Sequence, residues 1–460
     1  MTDDLRTILA RGFDQIRHEQ NVPEGFPDAV AAVADDAARR PLDSEHVDRT
    51  DVAFVTLDPA TSTDLDQAFA LEGSGRDLVL RYAIADVPWF VQPGDALDTE
   101  AWQRSLTLYL PDAKVPVYPS ALSERAASLL PDGPRPAIVF AVRVDPEGNA
   151  RLDGVERAVI RSRAKLGYET ASASDLPQHF DEFAARIAAA EDRRGASRAD
   201  APEQEVVSDG DGRYRLELRP RLSNEDANAA MSLATNLAVA DALYAAGTGL
   251  FRVMPEPDER ATKRLRFSAR ALGIAWDDHD DLKSVQRRLH PNDPRHAAFL
   301  IAVRRAGGGA SYAGFDPSVK PWHAAMAATY SHATAPLRRL ADRYVIEAAL
   351  AVANGHAVPE HVTEAFTRLP EVMDAAETRS SQVERAVLDL VESVVLIGRE
   401  GDVFPAVVTD TDDRGARIQL CDMAVTSRVV AHRVEPGDDL TVRLVATDPL
   451  KRQISFERVS

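Results

Sequence analysis

Cysteine is nearly absent from this chain: its 460 residues contain one, Cys421. A single thiol closes no internal disulfide and builds no thiolate cage. That fits a reducing compartment and excludes Cys-rich zinc sites, and Cys421 itself reads as packing rather than as a nucleophile. Long hydrophobic runs are missing too, so no segment reads as a membrane span. The N-terminus, MTDDLRTILARGFDQIRHEQ, is acidic and amphipathic. It lacks the basic start, apolar centre and small-residue cleavage site of a secretory signal, and a cytoplasmic location is expected. Positive charge is in deficit: 54 Lys and Arg face 73 Asp and Glu, a formal net charge of −19. Such a balance excludes a protein that coats nucleic acid over its whole surface, so any nucleic-acid path must be local. Two basic runs could supply one, RYRLELRPRL from Arg213 to Leu222 and LRRLADR from Leu337 to Arg343, although the first also reads as a strand with a solvated face.

What is present is ordinary globular material. Hydrophobic residues at 45% and charged residues at 28% suffice for a large core and rule out a mainly disordered chain. The length predicts two or three domains. The first fifty residues read as two helices, Asp3 to Gln20 and Pro27 to Arg40, joined by NVPEGF. They are expected to form a small helical domain over 1–50, helix-turn-helix-like in outline. From Val52 short apolar runs bounded by turns (AFVTLD, DLVLRYAIADV, AIVFAVRVDPEG) predict a sheet. Asn224 to Ala246 is Ala/Leu-rich without Gly or Pro and predicts a buried helix, and a second is expected from Pro336 to about Asn354. Arg194 to Gly212 reads as a polar linker. After Gly401 five short runs separated by turn residues predict a small OB-type barrel. Barrels of this kind bind single strands through basic grooves and aromatic platforms, and Phe404 is the candidate platform, with ordinary barrel core as its alternative.

The most informative segment is LDPATSTDLDQAFAL, which sets Asp58, Asp64 and Asp66 within nine residues directly after an apolar run. Aspartate suits neither strands nor helix interiors, so three of them call for a reason. Oxygen-only donors suit hard cations such as magnesium or manganese, and the i, i+2 spacing of Asp64 and Asp66 points both carboxylates to one side of an extended segment. An Asp-rich turn is the alternative, and spacing alone does not choose.

The neighbouring motifs do. This segment resembles the signature of the ribonuclease II catalytic (RNB) domain, in which Asp-Pro precedes Asp-x-Asp-Asp-Ala. The resemblance continues in order through AIADVPWF, LDTEA, YLP, PSALSERAASLLP, IRSRAKLGYE, NEDANAAMSLATN, GLFRVMPEP and YSHATAPLRRLADRYV. It spans about Val52 to Leu390, and the C-terminal barrel resembles the S1-type RNA-binding module of that family. The resemblance implies an α+β fold. An RNB domain over 51–395, a mixed sheet with packed helices, would be followed by an S1-type OB-fold β-barrel over 396–460. It implies a magnesium-dependent, alternatively manganese-dependent, hydrolytic 3′→5′ exoribonuclease that prefers single-stranded RNA 3′ ends and works as a monomer.

Roles follow residue by residue. Asp58, Asp64 and Asp66 match three of four metal-site aspartates, Asp66 being also catalytic, and Gln67 stands in the fourth position. A glutamine ligates through its amide oxygen but brings no charge, which leaves the second metal open. Arg338 matches the arginine that grips a phosphate oxygen, a task suited to its fork. Arg339, a further RNA-binding candidate, follows it on the same expected helix, with an ion pair to Asp342 as its alternative. Glu384 matches a glutamate near the terminal nucleotide. Tyr109 matches the tyrosine that stacks on the last base. His323 and His332 read as structural histidines, and the histidine that usually precedes IADV is Ala83 here. The resemblance leads to the expectation of cold-shock barrels ahead of the catalytic domain, and the fifty residues that stand there read instead as the helical segment. A catalytically silent RNA-binding protein, having lost a ligand at Gln67, is the second reading. A regulator that binds duplex DNA through its N-terminal helices is a weak third, because that segment is acidic.

Overall fold

A computed structural model of the chain describes residues 2–459 apart from 43–44, 197–202, 209–213, 220–221, 291–292, 307–308, 413–414, 422 and 424. Two helices open it, α1 (Thr2–Glu19) and α2 (Asp28–Ala38). Each buries a stripe at i, i+4, i+7, but the stripes enter different cores. Leu9, Phe13 and Ile16 of α1 pack on the far end of the molecule's longest helix, whereas Val30, Ala34 and Ala37 of α2 join the main core. The two helices therefore do not enclose a core of their own.

The central sheet is built from β1 (Val47–Asp48), β2 (Phe54–Asp58), β3 (Gln67–Ser74) and β4 (Asp77–Ala85), then, after α3 (Val87–Phe90), α4 (Ala96–Arg104) and a two-stranded hairpin of β5 (Leu108–Tyr109) and β6 (Lys114–Val115), from β7 (Arg135–Val144), β8 (Ala150–Ile160) and β9 (Ser162–Gly167). Its order is β1-β8-β7-β4-β3-β2-β9, antiparallel except at the two edges, where β1 lies parallel to β8 and β2 to β9. The central strand β4 is buried almost throughout, which is why it reads as one apolar run rather than an alternating one. Helix α5 (Phe180–Arg194) precedes α6 (Ser223–Ala245), which packs across β4, β7 and β8. Without Gly or Pro, α6 buries Ala, Leu and Met on most sides, and Glu225 closes its start by accepting the Leu222 N–H at 2.9 Å.

Between these helices the expected linker holds a strand: β10 (Glu203–Ser208) pairs antiparallel with β11 (Tyr214–Arg219). Pairing satisfies backbone groups that a lone polar segment leaves to water, and Val206 packs against the α1 cluster. The side chains of 213–221, which include the basic run beginning at Arg213, lie outside the described residues.

Strand β12 (Leu250–Val253) pairs with β13 (Ser311–Gly314), and between them the chain makes an excursion through α7 (Glu259–Ala271), α8 (Leu282–Arg287) and α9 (Pro294–Ala306), which share a small core around Leu265, Val285 and Phe299. A short pair, β14 (Trp322–His323) and β15 (Ala328–Thr329), leads to α10 (Leu340–Ala353) and α11 (Glu360–Val395). Helix α11 crosses α1 so closely that a Cβ on Gly12 would lie 2.4 Å from Leu390 Cδ2. The chain ends in a closed barrel of order β16-β17-β18-β20-β19, comprising Val403–Asp412, Gly415–Leu420, Thr426–Val429, Gln453–Arg458 and Asp439–Asp448 respectively. Register shifts at Val408/Asp410 and Leu444/Ala446 bend its two long strands into closure. The architecture is α+β with a C-terminal OB-type barrel, and no described helix is long and apolar enough to cross a membrane.

Candidate active site

Three chain segments meet beyond the end of β2. Asp58 is the last residue of that strand, in register with Gly167 of β9. The next segment is extended. Leu65 points into the core with no exposure, its N–H donating to Ser128 Oγ at 2.9 Å and its carbonyl accepting from Leu129 N at 3.0 Å. Anchoring Leu65 inward turns Asp64 and Asp66, one residue either side, the other way. The third segment, 334–339, precedes α10. It is folded by Asp342, whose buried Oδ1 accepts from Thr334 N at 3.0 Å and Ala335 N at 2.8 Å.

That fold presents two groups to Asp66: Leu337 N–H donates to its Oδ1 at 2.7 Å, and Arg338 Nε lies 3.7 Å from its Oδ2. Asp66 is 6% exposed, and burial pushes its carboxyl up to about 8 against the pull of Arg338 and the Leu337 N–H. Asp58 is likewise pushed up to about 7 by burial, with the Asp64 charge adding to it, and its Oδ2 is buried without a hydrogen-bond partner. Asp64 instead holds a cation, Lys114 Nζ at 3.1 Å, which also lies 2.6 Å from Glu124 Oε1. Arg338 keeps 46% of its side chain exposed. Across the site stands Tyr109, 55% exposed, whose hydroxyl feels the charges of Arg338, Asp64 and Asp66. Its place follows from backbone pairing: Thr107 N donates to Arg338 O at 3.0 Å and Leu340 N to Ser105 O at 2.9 Å.

A set of buried carboxylates, an arginine with a free face and an exposed aromatic is suited to holding a polyanionic chain end. Known proteins agree. The RNB domain profile matches residues 46–352, and that of the RNase II-type exonuclease C-terminal S1 domain matches residues 402–459. The chain belongs to the RNB family of ribonuclease II-type exoribonucleases. Ribonuclease R of Thermotoga maritima is 26% identical over 96% of this chain and 69% of the relative. Mycoplasma genitalium RNase R, solved in complex with ribose-methylated single-stranded RNA, superposes with a TM-score of 0.87 at 20% identity, covering 97% of this chain and 77% of that one. Yeast Ssd1, described as a pseudonuclease, superposes at 0.71 with 18% identity, covering 94% and 57%. Such structural likeness at low identity speaks for the fold.

Within this RNB domain the structure brings Asp58, Asp64, Asp66, Arg338 and Tyr109 together. Gln67 departs from the expectation of a fourth ligand: Tyr82 Oη donates to its Oε1 at 2.8 Å and its Nε2 donates to Thr334 O at 2.5 Å, so its amide ties β4 to the 334–339 segment. Arg339 forms the ion pair that was its alternative, its fork engaging Asp342 in two bonds of 2.8 Å. Both arginines precede α10 rather than lie on it. Arg339 is extended, φ −135° and ψ 121°, and bridges to Leu106. Glu384 lies on the exposed face of α11 with Ser380 as partner at 3.1 Å, and no hydrogen bond or ion pair among the described residues links it to the carboxylates or Arg338. Phe404 is 3% exposed and packs edge-on to Phe456, centroids 6.0 Å apart, so it is barrel core and offers no platform. His332 is buried and neutral, its Nδ1 2.9 Å from Tyr312 Oη, and burial holds His323 down at about 4.

Lys114 and Tyr168 carried no assignment from the sequence. The Tyr168 hydroxyl accepts from Asn228 Nδ2 at 2.9 Å, and burial beside the Asp58 charge pushes it up to about 12. A lysine at a strand end and a tyrosine in a turn give no compositional signal. Only the fold places them here.

Among the described residues no group of three or more His, Cys, Asp or Glu side chains stands in position to hold a metal ion. The chemistry of the donors nevertheless fits a hard divalent cation. They are all oxygen, Asp58 Oδ2 is unpartnered, and burial drives two carboxyls toward neutrality even with Arg338 beside them.

Proposed function

We propose that this RNB exoribonuclease is magnesium-dependent and hydrolytic, releasing nucleoside 5′-monophosphates from single-stranded RNA 3′ ends. The observation that carries the reading is the pairing of buried Asp66 with half-exposed Arg338. Asp58, Asp64 and Asp66 would hold the cation, which when bound supplies charge to the scissile phosphate and activates a water for in-line attack. Arg338 supplies a fixed donor to the phosphate oxygen that gains charge, and its backbone attachment to Thr107 holds it there at no cost at the moment of reaction. Tyr109 offers a ring face to the terminal base, which any base can use. Discrimination against DNA would rest on contacts to the 2′-hydroxyl. The reading carries with it a monomer without an obligate protein partner, working in the cytoplasm.

One observation favours the silent alternative: the fourth family ligand position is filled by Gln67, whose amide is committed elsewhere. Incubation of a 3′-extended, 5′-labelled RNA with magnesium, with manganese and with chelator separates the two. A ladder shortening from the 3′ end with metal, absent with chelator, supports the enzyme. Binding without shortening in any metal supports the silent protein.

A further inference from the structure

Charge is unevenly placed in this acidic chain. Residues 259–306, the α7–α9 excursion, hold eleven Lys and Arg against six Asp and Glu, a net charge of +5 within a total of −19. Helix α7, ERATKRLRFSARA, concentrates it. At 100° per residue, Arg260, Lys263, Arg264, Phe267 and Arg270 fall on roughly one third of the helix circumference, while Ala261, Leu265 and Ala269 are buried on the opposite side. All five stripe residues are exposed. Phe267 is 59% exposed, a large ring left in water among four cations.

The fold does not use these groups. Arg266, off the stripe, packs its guanidinium 4.7 Å from the Trp276 ring centroid and lies 3.6 Å from Asp278, as a structural arginine does. Among the described residues no ion pair or hydrogen bond engages the side chains of Arg260, Lys263, Arg264 or Arg270. In a protein with nineteen surplus negative charges, leaving four neighbouring cations unpaired costs mutual repulsion that a polyanion would relieve. The excursion leaves and returns through the paired strands β12 and β13, and its α9 touches β16 of the barrel. The stripe thus belongs to a lobe that adjoins the S1-type module, and no hydrogen bond or ion pair among the described residues links it to the carboxylates.

We propose that the exposed face of α7 is a binding surface for single-stranded RNA, its cations taking consecutive phosphates and Phe267 stacking on an unpaired base. This rests on the reading that the chain acts on RNA, and it adds a second anchoring surface for the strand upstream of its 3′ end. Cations interleaved with an exposed aromatic are the mark of a single-strand platform; a duplex would satisfy the cations but hide its base faces from Phe267.

The test is binding in chelator, where no hydrolysis intervenes, together with hydrolysis in magnesium. Two variants are compared with the wild type: the fourfold Arg260→Gln, Lys263→Gln, Arg264→Gln, Arg270→Gln, and Phe267→Ala. Neither touches the buried face of α7, and equal melting temperatures confirm the fold. For a long single-stranded RNA the fourfold variant should show a log K versus log salt slope shallower by about two to three, at roughly 0.7 for each phosphate no longer neutralised. Phe267→Ala should weaken the same RNA about five- to a hundredfold while leaving duplex RNA unchanged. Hydrolysis of a hexanucleotide, which has few phosphates beyond those held at its chain end, should be unaltered in both. An unchanged salt slope, or equal losses for the hexanucleotide and the long RNA, would overturn the surface. Poly-glutamate competing as well as RNA would also overturn it, in favour of an acidic protein partner. A wild type that shortens no RNA overturns the exonuclease reading instead, and the binding arm is then read alone.

Discussion

Asp66 and Leu337, 271 residues apart in sequence, are joined by a 2.7 Å hydrogen bond from the Leu337 N–H to the buried carboxylate. That bond fixes which way Asp66 faces and sets the next residue, Arg338, at its other oxygen. Asparagine at position 66 retains an acceptor for Leu337 and loses only the charge. Asp66→Asn should therefore abolish RNA shortening and leave RNA binding nearly intact. Residual shortening within a few-fold of the wild type would remove Asp66 from the chemistry.

The same substitution should stabilise the metal-free protein, with a definite pH dependence. The Asp66 carboxyl is pushed up to about 8, well above its unfolded value, so the folded state binds the proton more tightly. Its stabilising contribution is fully present below pH ~4 and is lost as pH rises through about 8. Asparagine has no such loss. In chelator, the melting temperature of Asp66→Asn should exceed that of the wild type by a margin that widens from pH 5 to pH 8.5, and magnesium should narrow it by stabilising the wild type alone. A margin independent of pH would mean that Asp66 is ionised at neutral pH without metal.

Lys114 holds Asp64 at 3.1 Å and competes with any cation for that carboxylate. Replacing it with methionine should lower the magnesium concentration for half-maximal activity by roughly fivefold, the equivalent of a pair worth about 1 kcal/mol. Direct titration with manganese, read by its electron-spin signal, should shift in the same direction. Identical half-saturation in variant and wild type would place Lys114 outside the competition.

Gln67 shows where reading by pattern stops. The spacing of Asp58, Asp64 and Asp66 was legible because an extended segment with period two puts alternate side chains on one side, and Leu65 confirms the alternation by its burial. Position 67 also lay in the pattern, but its role depends on Tyr82 and Thr334, which no local spacing predicts. Arg339 was misplaced for a related reason: helix propensity runs back to Pro336, yet backbone pairing with Leu106 holds the residue extended. Phe404 and the α7 stripe are opposite cases. Barrel closure buries an aromatic that composition offered as a platform, whereas α7 leaves Phe267 outside, and only burial tells them apart.

It follows that Gln67→Asp should not act as a restored ligand. The shorter carboxylate has no N–H for the Thr334 carbonyl, which loses the donor that Gln67 Nε2 supplies at 2.5 Å. A cost of about 1–3 kcal/mol in stability is expected, from an unsatisfied buried acceptor. Thermal melting and a magnesium titration measure the two consequences together. A variant of unchanged stability with a lower magnesium requirement would show that position 67 reaches the metal after all.

The last prediction concerns the hairpin that carries Tyr109. Its flanking residues Leu108 and Leu110 share a core with Leu9, Phe13 and Ile16 of α1 and with Val383 and Val387 of α11, and Arg17 pairs with Asp112 at 2.5 Å. The N-terminal helix thus supports the stacking residue from behind, a task independent of any RNA contact of its own. Tyr109→Ala should lengthen the final undegraded product by a nucleotide or more, since base stacking worth roughly 1–3 kcal/mol is lost where a short chain end has little else to hold it. Phe13→Ala should reproduce that change in part. A cavity costing about 3–5 kcal/mol under the hairpin loosens the ring without removing it. Long substrates should be degraded at nearly the wild-type rate by both, because they are anchored elsewhere as well. A denaturing gel of labelled RNA gives the comparison. If Tyr109→Ala lengthens the end product and Phe13→Ala does not, α1 is packing alone; if neither does, Tyr109 does not hold the chain end.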